Sequence, residues 1–211
     1  MPTPLPGRLI ALEGIDGSGK STQARILERQ PMLTVTAEPG ATALGTRLRH
    51  LLLDPGLPAV ATRTEALLLA ADRAQHVAEV VEPALAAGRW VVTDRFSGST
   101  LAYQGYGRGL DLDDLRRLVA WATGGIEPDL NLLVDIPLDV AGRRRAGAAA
   151  DRLESLGDDF LERVRSGYLA LAAADPERWA VIDGTGHPDE VAHLVRAVLA
   201  QRLGTPPEPG R

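Results

Sequence analysis

The chain contains no cysteine, which excludes disulfides and cysteine-ligated zinc. It has no surplus of positive charge either. Its 23 lysine and arginine residues face 28 aspartate and glutamate residues, a formal net charge of −5, and this argues against a general nucleic-acid binder. No apolar run reaches the roughly 18 residues that a transmembrane helix needs. The N-terminal "MPTPLPG" lacks the basic and apolar pattern of a secretory leader. A cytoplasmic protein without a membrane partner is therefore expected. Neither a linker nor an internal repeat interrupts the 211 residues, enough for one domain with a sizeable core. We expect a single domain over 1–211, with Pro- and Gly-rich frayed tails at 1–7 and 204–211.

What is present is an alternation of short apolar runs with longer helical patterns. The segments 8–13, 33–37, 89–94, 129–136 and 178–183 are short and β-rich, as buried parallel strands are. Between them, Leu112, Leu115, Leu118 and Val119 recur at helical spacing after Asp111, a plausible N-cap. The stretch 188–203 repeats that spacing with Val191, Leu194, Val195, Val198 and Leu199. A long helical stretch covers 62–87; Gly88 stops it, and Pro83 bends or divides it. Strand and helix in alternation predict an α/β fold: a five-stranded parallel sheet covered by helices on both faces, a three-layer sandwich. Ligands on such sheets bind outside the carboxyl ends of the strands. Four motifs follow strands and so share one sheet edge: "GIDGSGKST", "EPG", "DRF" and "DGTG".

The first of these matches the P-loop pattern in full, from Gly14 through Ile15, Asp16, Gly17, Ser18, Gly19, Lys20 and Ser21 to Thr22. The glycines let backbone amides turn inward around an anion, and the following helix adds its partial positive charge. Lys20 should reach the β and γ phosphates of a nucleoside triphosphate, and the Ser21 hydroxyl should ligate Mg²⁺. The chemistry leaves one oddity, a carboxylate (Asp16) inside a polyphosphate cradle.

The P-loop defines the donor and is silent about the acceptor. Asp94 ends a strand where it can hold a metal-bound water beside Ser21, and Arg95 next to it can clamp a phosphate. Alone, that pair is equally a surface salt bridge. Arg73 on a helix, Glu38 held extended by Pro39, and Arg49 are further candidates. The Ala- and Gly-rich segment 141–155, with Arg143, Arg144, Arg145 and Arg152, suits a small lid closing over phosphates; a solvated basic helix face is the plain alternative.

In combination, "EGIDGSGKSTQ", "EPG", "TEALLLAADRAQH", "DRFSGSTLAYQG", "PDLNLLVDIP" and "DRLE", in that order over about residues 8–200, resemble the thymidylate kinases of bacterial type. The resemblance implies a P-loop NTPase fold, transfer of the ATP γ-phosphate to dTMP with Mg²⁺, and a homodimer. It further implies that Arg95 and Arg49 hold the acceptor phosphate, and that Arg73 meets a thymine carbonyl. Ser99, Thr100 and Gln104 would read the polar edge of the base, and Tyr103 would close against the sugar. Glu38 would sit beside the transferring group, and Asp16 would accept a hydrogen bond from the sugar 3′-hydroxyl. With Gly17 where one branch of the family carries arginine, the lid would supply the positive charge, Arg145 and Arg143 leading. The sequence departs from the family's usual pattern at Ala37 (usually Arg), Ala41 (usually Gly), Leu69 (commonly a Phe stacking on thymine) and Phe96 (more often Tyr). Competing readings are another P-loop nucleotide or deoxynucleoside kinase, and a non-catalytic nucleotide-binding switch protein.

Overall fold

The computed structural model describes residues 7–54, 56–57, 60–146 and 157–205. Residues 1–6 and 206–211 of the expected tails and 147–155 of the expected lid, including Arg152, lie outside the described residues.

All five expected strands form, each within two residues of its sequence-based bounds: β1 (Leu9–Glu13), β2 (Leu33–Ala37), β3 (Trp90–Asp94), β4 (Leu130–Asp135) and β5 (Trp179–Asp183). They make one parallel sheet in the order β2-β3-β1-β4-β5. The central strands β1 and β3 are buried at every position, which is why they read as unbroken apolar runs rather than alternations.

Alternation still assigns each side chain to a face. Ile10 and Leu12 pack with Ala24 and Leu27 of helix α1 (Lys20–Leu27) and with Val191, Val195 and Leu199 of α9 (Pro188–Leu203). Their neighbours Leu9 and Ala11 point the other way, onto Val77 and Val81. Further along that second face Leu133 meets Phe160, Val164 and Tyr168 of α8 (Asp158–Ala174). The remaining helices are α2 (Ala43–Leu53), α3 (Thr62–His76), α4 (Glu82–Ala86), α5 (Ser97–Thr100), α6 (Leu112–Ala122) and α7 (Leu138–Arg145).

Asp111 caps α6 as expected, its carboxylate accepting from the amides of Asp113 and Asp114. The bend expected in the 62–87 stretch takes a specific form: α3 and α4 are joined by a π-helical turn, Val77–Val81. Pro83 offers no N–H and its ring needs the space of the carbonyl four residues back. A widened turn just upstream relieves that conflict without breaking the path, and Gly88 at φ 72° ends the stretch. Helices α2 and α8 were not anticipated. A second π-helical segment, Leu101–Gly107, extends α5 and carries Tyr103 and Gln104 to the sheet edge. Among the described residues no helix is long and apolar enough to cross a membrane.

Candidate active site

The four motifs do share one edge. They follow β1, β2, β3 and β5 directly. Three hollows open there and meet at Asp16, which lines all of them.

The first, of about 380 Å³, is walled by the P-loop from Asp16 to Thr22. Gly14, Gly17 and Gly19 hold φ of 142°, 84° and 102°, which turns the loop amides inward. A side chain at position 17 would also meet the Ala141 carbonyl oxygen at 2.9 Å and Arg145 Cγ at 3.3 Å. An arginine there is thus incompatible with the seat of α7, in keeping with positive charge supplied from α7 instead. Lys20 (the only lysine in the chain) is buried, donating to the Ile15 carbonyl at 2.9 Å. Burial and the neighbouring Arg95 cation push its pKa down to about 8, against the pull of Asp16, Asp94 and Glu13. The opposite wall holds Gly184 and Gly186 of "DGTG", Pro188, and Arg144.

The lid arginines separate by position. Arg144 donates to the carbonyls of Ser18 (3.3 Å) and Gly184 (2.9 Å), tying the P-loop to the β5 loop. Arg143 pairs with Asp139 on an exposed helix face, and Arg145 folds back on the Ala141 carbonyl. Sequence reasoning put Arg145 and Arg143 first; three adjacent arginines on one helix point three ways, and no composition signal ranks them.

The second hollow, of about 100 Å³, is lined by Asp16, Glu38, Pro39, Arg49, Leu69, Arg73, Arg95, Ser99, Thr100, Tyr103 and Gln104. These are all eleven of the residues expected on the acceptor side, brought from the loops after β1, β2 and β3, from α2, α3 and α5, and from the Leu101–Gly107 segment. Leu52, Leu53 and Asp72 complete the wall and were missed. Arg73 is buried and spends three donors within the protein, on Glu38 Oε2, Thr100 Oγ1 and the Phe96 carbonyl, each at 2.8 Å. Glu38 is held from its other side by His76 Nδ1 at 2.8 Å, and His76 Nε2 lies 2.9 Å from Thr36 Oγ1. Gln104 gives its amide N–H to Glu65, and its carbonyl oxygen has no partner among the described residues. One Asp72 oxygen accepts from the Gly40 amide and the other is buried without a partner among the described residues. Burial and the Glu38 carboxylate push Asp72 up to about 6.

The third hollow, a groove, joins the other two and carries Asp16, Lys20, Ser21, Glu38, Arg49, Asp94 and Arg95. Ser21 Oγ donates to Asp94 Oδ2 at 2.5 Å, while Asp94 Oδ1 is buried with no partner among the described residues. A hydroxyl and a carboxylate with a spare oxygen form an all-oxygen donor set of the kind Mg²⁺ takes, its shell completed by water and phosphate. Arg95 pairs with Asp16 Oδ1 at 2.5 Å and stacks over the Tyr103 ring. Tyr103 OH donates to Asp16 Oδ2 at 2.9 Å. Burial alone would raise the Asp16 pKa, but Arg95 and then Lys20 outweigh it and hold the carboxyl well below its usual range. Asp16 therefore turns away from the phosphate cradle and is charge-compensated on the acceptor side. Adjoining hollows with cations at their junction suit transfer of a phosphoryl group from one ligand to another.

Comparison with known proteins agrees with that chemistry. The family model for thymidylate kinase matches residues 12–195. The thymidylate kinase of Desulfovibrio desulfuricans is 50% identical over 209 residues, spanning 92% of this chain and 95% of the relative. That of Cupriavidus metallidurans is 47% identical over 199 residues, 92% and 98% respectively. The crystal structure of the Ehrlichia chaffeensis thymidylate kinase superposes with a TM-score of 0.73 at 31% identity, covering 92% of this chain and 99% of that one.

Proposed function

The chain belongs to the thymidylate kinase family, and from that premise we propose that it transfers the γ-phosphate of ATP to dTMP, yielding dTDP and ADP for DNA precursor synthesis. The observation that carries this reading is the groove from the P-loop to the acceptor hollow, with Lys20, Arg95 and Arg49 along it. ATP lies with its polyphosphate in the P-loop cradle, and dTMP lies in the hollow beyond Asp16.

Phosphoryl transfer asks the protein to position two anions in line and to neutralise charge spreading over the equatorial oxygens. Lys20 holds the donor's β and γ phosphates. Arg95 and Arg49 hold the acceptor phosphate, whose oxygen is the nucleophile. That phosphate has its second pKa near 6, so its attacking oxygen carries negative charge at neutral pH and no strong general base is required. Ser21 and, through water, Asp94 would hold Mg²⁺, which when bound supplies positive charge against the donor phosphates.

The base is read by donors and acceptors of matched sense. Arg73 keeps N–H donors beyond the three it has spent, suited to a thymine carbonyl. The free carbonyl oxygen of Gln104 suits the base N–H, and Ser99 and Thr100 flank that polar edge. Tyr103 closes against the sugar. Asp16, with both oxygens engaged, still has lone pairs for a 3′-hydroxyl. The charge that clashes with one substrate suits the other. Arg144 on α7, at the base of a lid over 141–155, covers the donor side within one nucleotide kinase domain. A homodimer in the cytoplasm completes the proposal; exposed Leu44, Leu51, Leu67 and Trp121 on α2, α3 and α6 support a protein-covered helical face.

The test is incubation with ATP, Mg²⁺ and a panel of monophosphates plus thymidine. Transfer to dTMP should be fastest, with dUMP slower. Preference for AMP or thymidine, or transfer to none, would overturn the reading.

A further inference from the structure

Arg95 is the one described residue other than glycine with a positive φ, 72°. A long side chain adopts that region rarely and keeps it only where its surroundings over-determine it. The surroundings here are specific. The Arg95 amide donates to the Leu12 carbonyl at 2.9 Å, and its own carbonyl accepts from Thr93 Oγ1 at 2.8 Å. The next amide, Phe96 N, donates to Glu13 Oε1 at 3.1 Å, as does Ser99 N.

Glu13 and Tyr168 stand behind this turn. Both are fully buried, and neither lines the acceptor hollow or the groove. Glu13 Oε2 accepts from Ser99 Oγ at 2.6 Å and from Tyr168 OH at 3.1 Å. Every contact of this carboxylate is therefore with a donor, and two of the four are backbone amides of the turn that carries Arg95. Position 98 must be glycine for the arrangement to close, because a Cβ there would lie 2.8 Å from Glu13 Oε1 and 2.7 Å from the Trp179 ring. Tyr168 OH and Ser99 Oγ lie 2.7 Å apart, and Arg95 Nη1 donates to both, at 3.2 and 3.1 Å. The guanidinium is thus gripped between Asp16 and Tyr103 on one terminal nitrogen and a hydroxyl pair on the other, with the Glu13 charge one hydroxyl layer behind.

We propose that Glu13 and Tyr168 are positioning residues for Arg95: they hold its strained backbone and its guanidinium in the pose that receives the acceptor's phosphate, without touching either substrate. The proposal rests on the assignment of dTMP to the hollow beside Arg95. It goes beyond that assignment by giving a role on the acceptor side to a strand residue ahead of the P-loop and to a tyrosine on α8, 73 positions from Arg95.

Tyr168→Phe keeps the ring and removes the hydroxyl. The hydroxyl's two charge-assisted contacts, to Glu13 and from Arg95, are lost together, which should lower kcat/KM for dTMP about tenfold, with the Kd for ATP changed less than about twofold and the chain still folded at the assay temperature. In an Arg95→Ala background the same substitution should have no further effect on kcat/KM for dTMP, because the residue it positions is gone. Glu13→Gln, which removes charge and keeps size, should show the same acceptor-side signature and guards against a folding artefact in either variant. Full retention of dTMP kinetics in Tyr168→Phe, parallel weakening of ATP and dTMP, or additive losses with Arg95→Ala would each overturn the positioning role. The unsubstituted chain assayed alongside separates the two failures. No transfer to dTMP by it defeats the functional assignment and this inference together, whereas normal transfer by it with an unaffected Tyr168→Phe defeats only the inference.

Discussion

Arg95→Ala is the sharpest test of the division of labour between the two hollows. Arg95 lines the acceptor hollow and the groove but not the P-loop cavity, so its loss should fall on dTMP and spare ATP. Two contributions set the size. A pre-organised cationic donor removed from a developing phosphoryl charge costs about 3 kcal/mol, roughly 10²–10³ in rate. The second is the carboxylate left behind. Asp16, now paired at 2.5 Å with Arg95, would face the acceptor phosphate as an uncompensated like charge. Its side chain is 30% exposed, so screening limits that repulsion to about 1 kcal/mol. We therefore expect kcat/KM for dTMP to fall about 10³-fold in Arg95→Ala, with the Kd for ATP within about threefold of normal. The double variant Arg95→Ala/Asp16→Asn should recover about fivefold of the loss by removing the repulsion. ADP release in a coupled assay, with dTMP varied at saturating ATP, measures the first quantity, and titration calorimetry with ATP the second. A loss below tenfold, an equal loss of ATP affinity, or a double variant worse than the single one would rule out this division of labour.

Leu69 lines the acceptor hollow without offering a π face. Leu69→Phe should tighten dTMP binding about two- to tenfold, the worth of an aromatic contact, measured as Kd; an unchanged Kd would show that leucine suffices. Asp72 predicts a pH signature. Its carboxyl is raised to about 6 from 3.8, so the folded state holds the proton longer than the unfolded one. Stability from this group is therefore full below about pH 3.8 and declines as pH rises to about 6. Urea denaturation of Asp72→Asn against the unsubstituted chain should show the variant gaining up to about 3 kcal/mol relative stability between pH 4 and pH 7. Parallel curves over that range would remove the titration from Asp72.

Much of this was open to reading in one dimension. Buried parallel strands need unbroken apolar runs, so the strand segments stood out, and short-range capping rules found Asp111. The P-loop is legible because its chemistry is local: nine consecutive residues supply their own glycines, amides, lysine and hydroxyl. The acceptor residues were reached through the order of several motifs rather than through any local rule. What could not be read depends on partners far away in the chain. The different settings of Arg143, Arg144 and Arg145 follow from groups such as the carbonyls of Ser18 and Gly184, which no spacing on the helix reveals. The π-helical Leu101–Gly107 segment, which delivers Tyr103 and Gln104, follows from packing against α8 rather than from propensity.

The puzzle of Asp16 divides along the same line. Nine consecutive residues are enough to place a carboxylate inside a phosphate-binding loop and to give that loop a nucleotide's phosphates to cradle. Where the carboxylate's charge goes depends on residues that folding brings to it. Arg95 and Tyr103, from 79 and 87 positions away, turn it toward the second hollow, because a half-buried carboxylate beside a polyphosphate site is stable only where a cation and a hydroxyl compensate it.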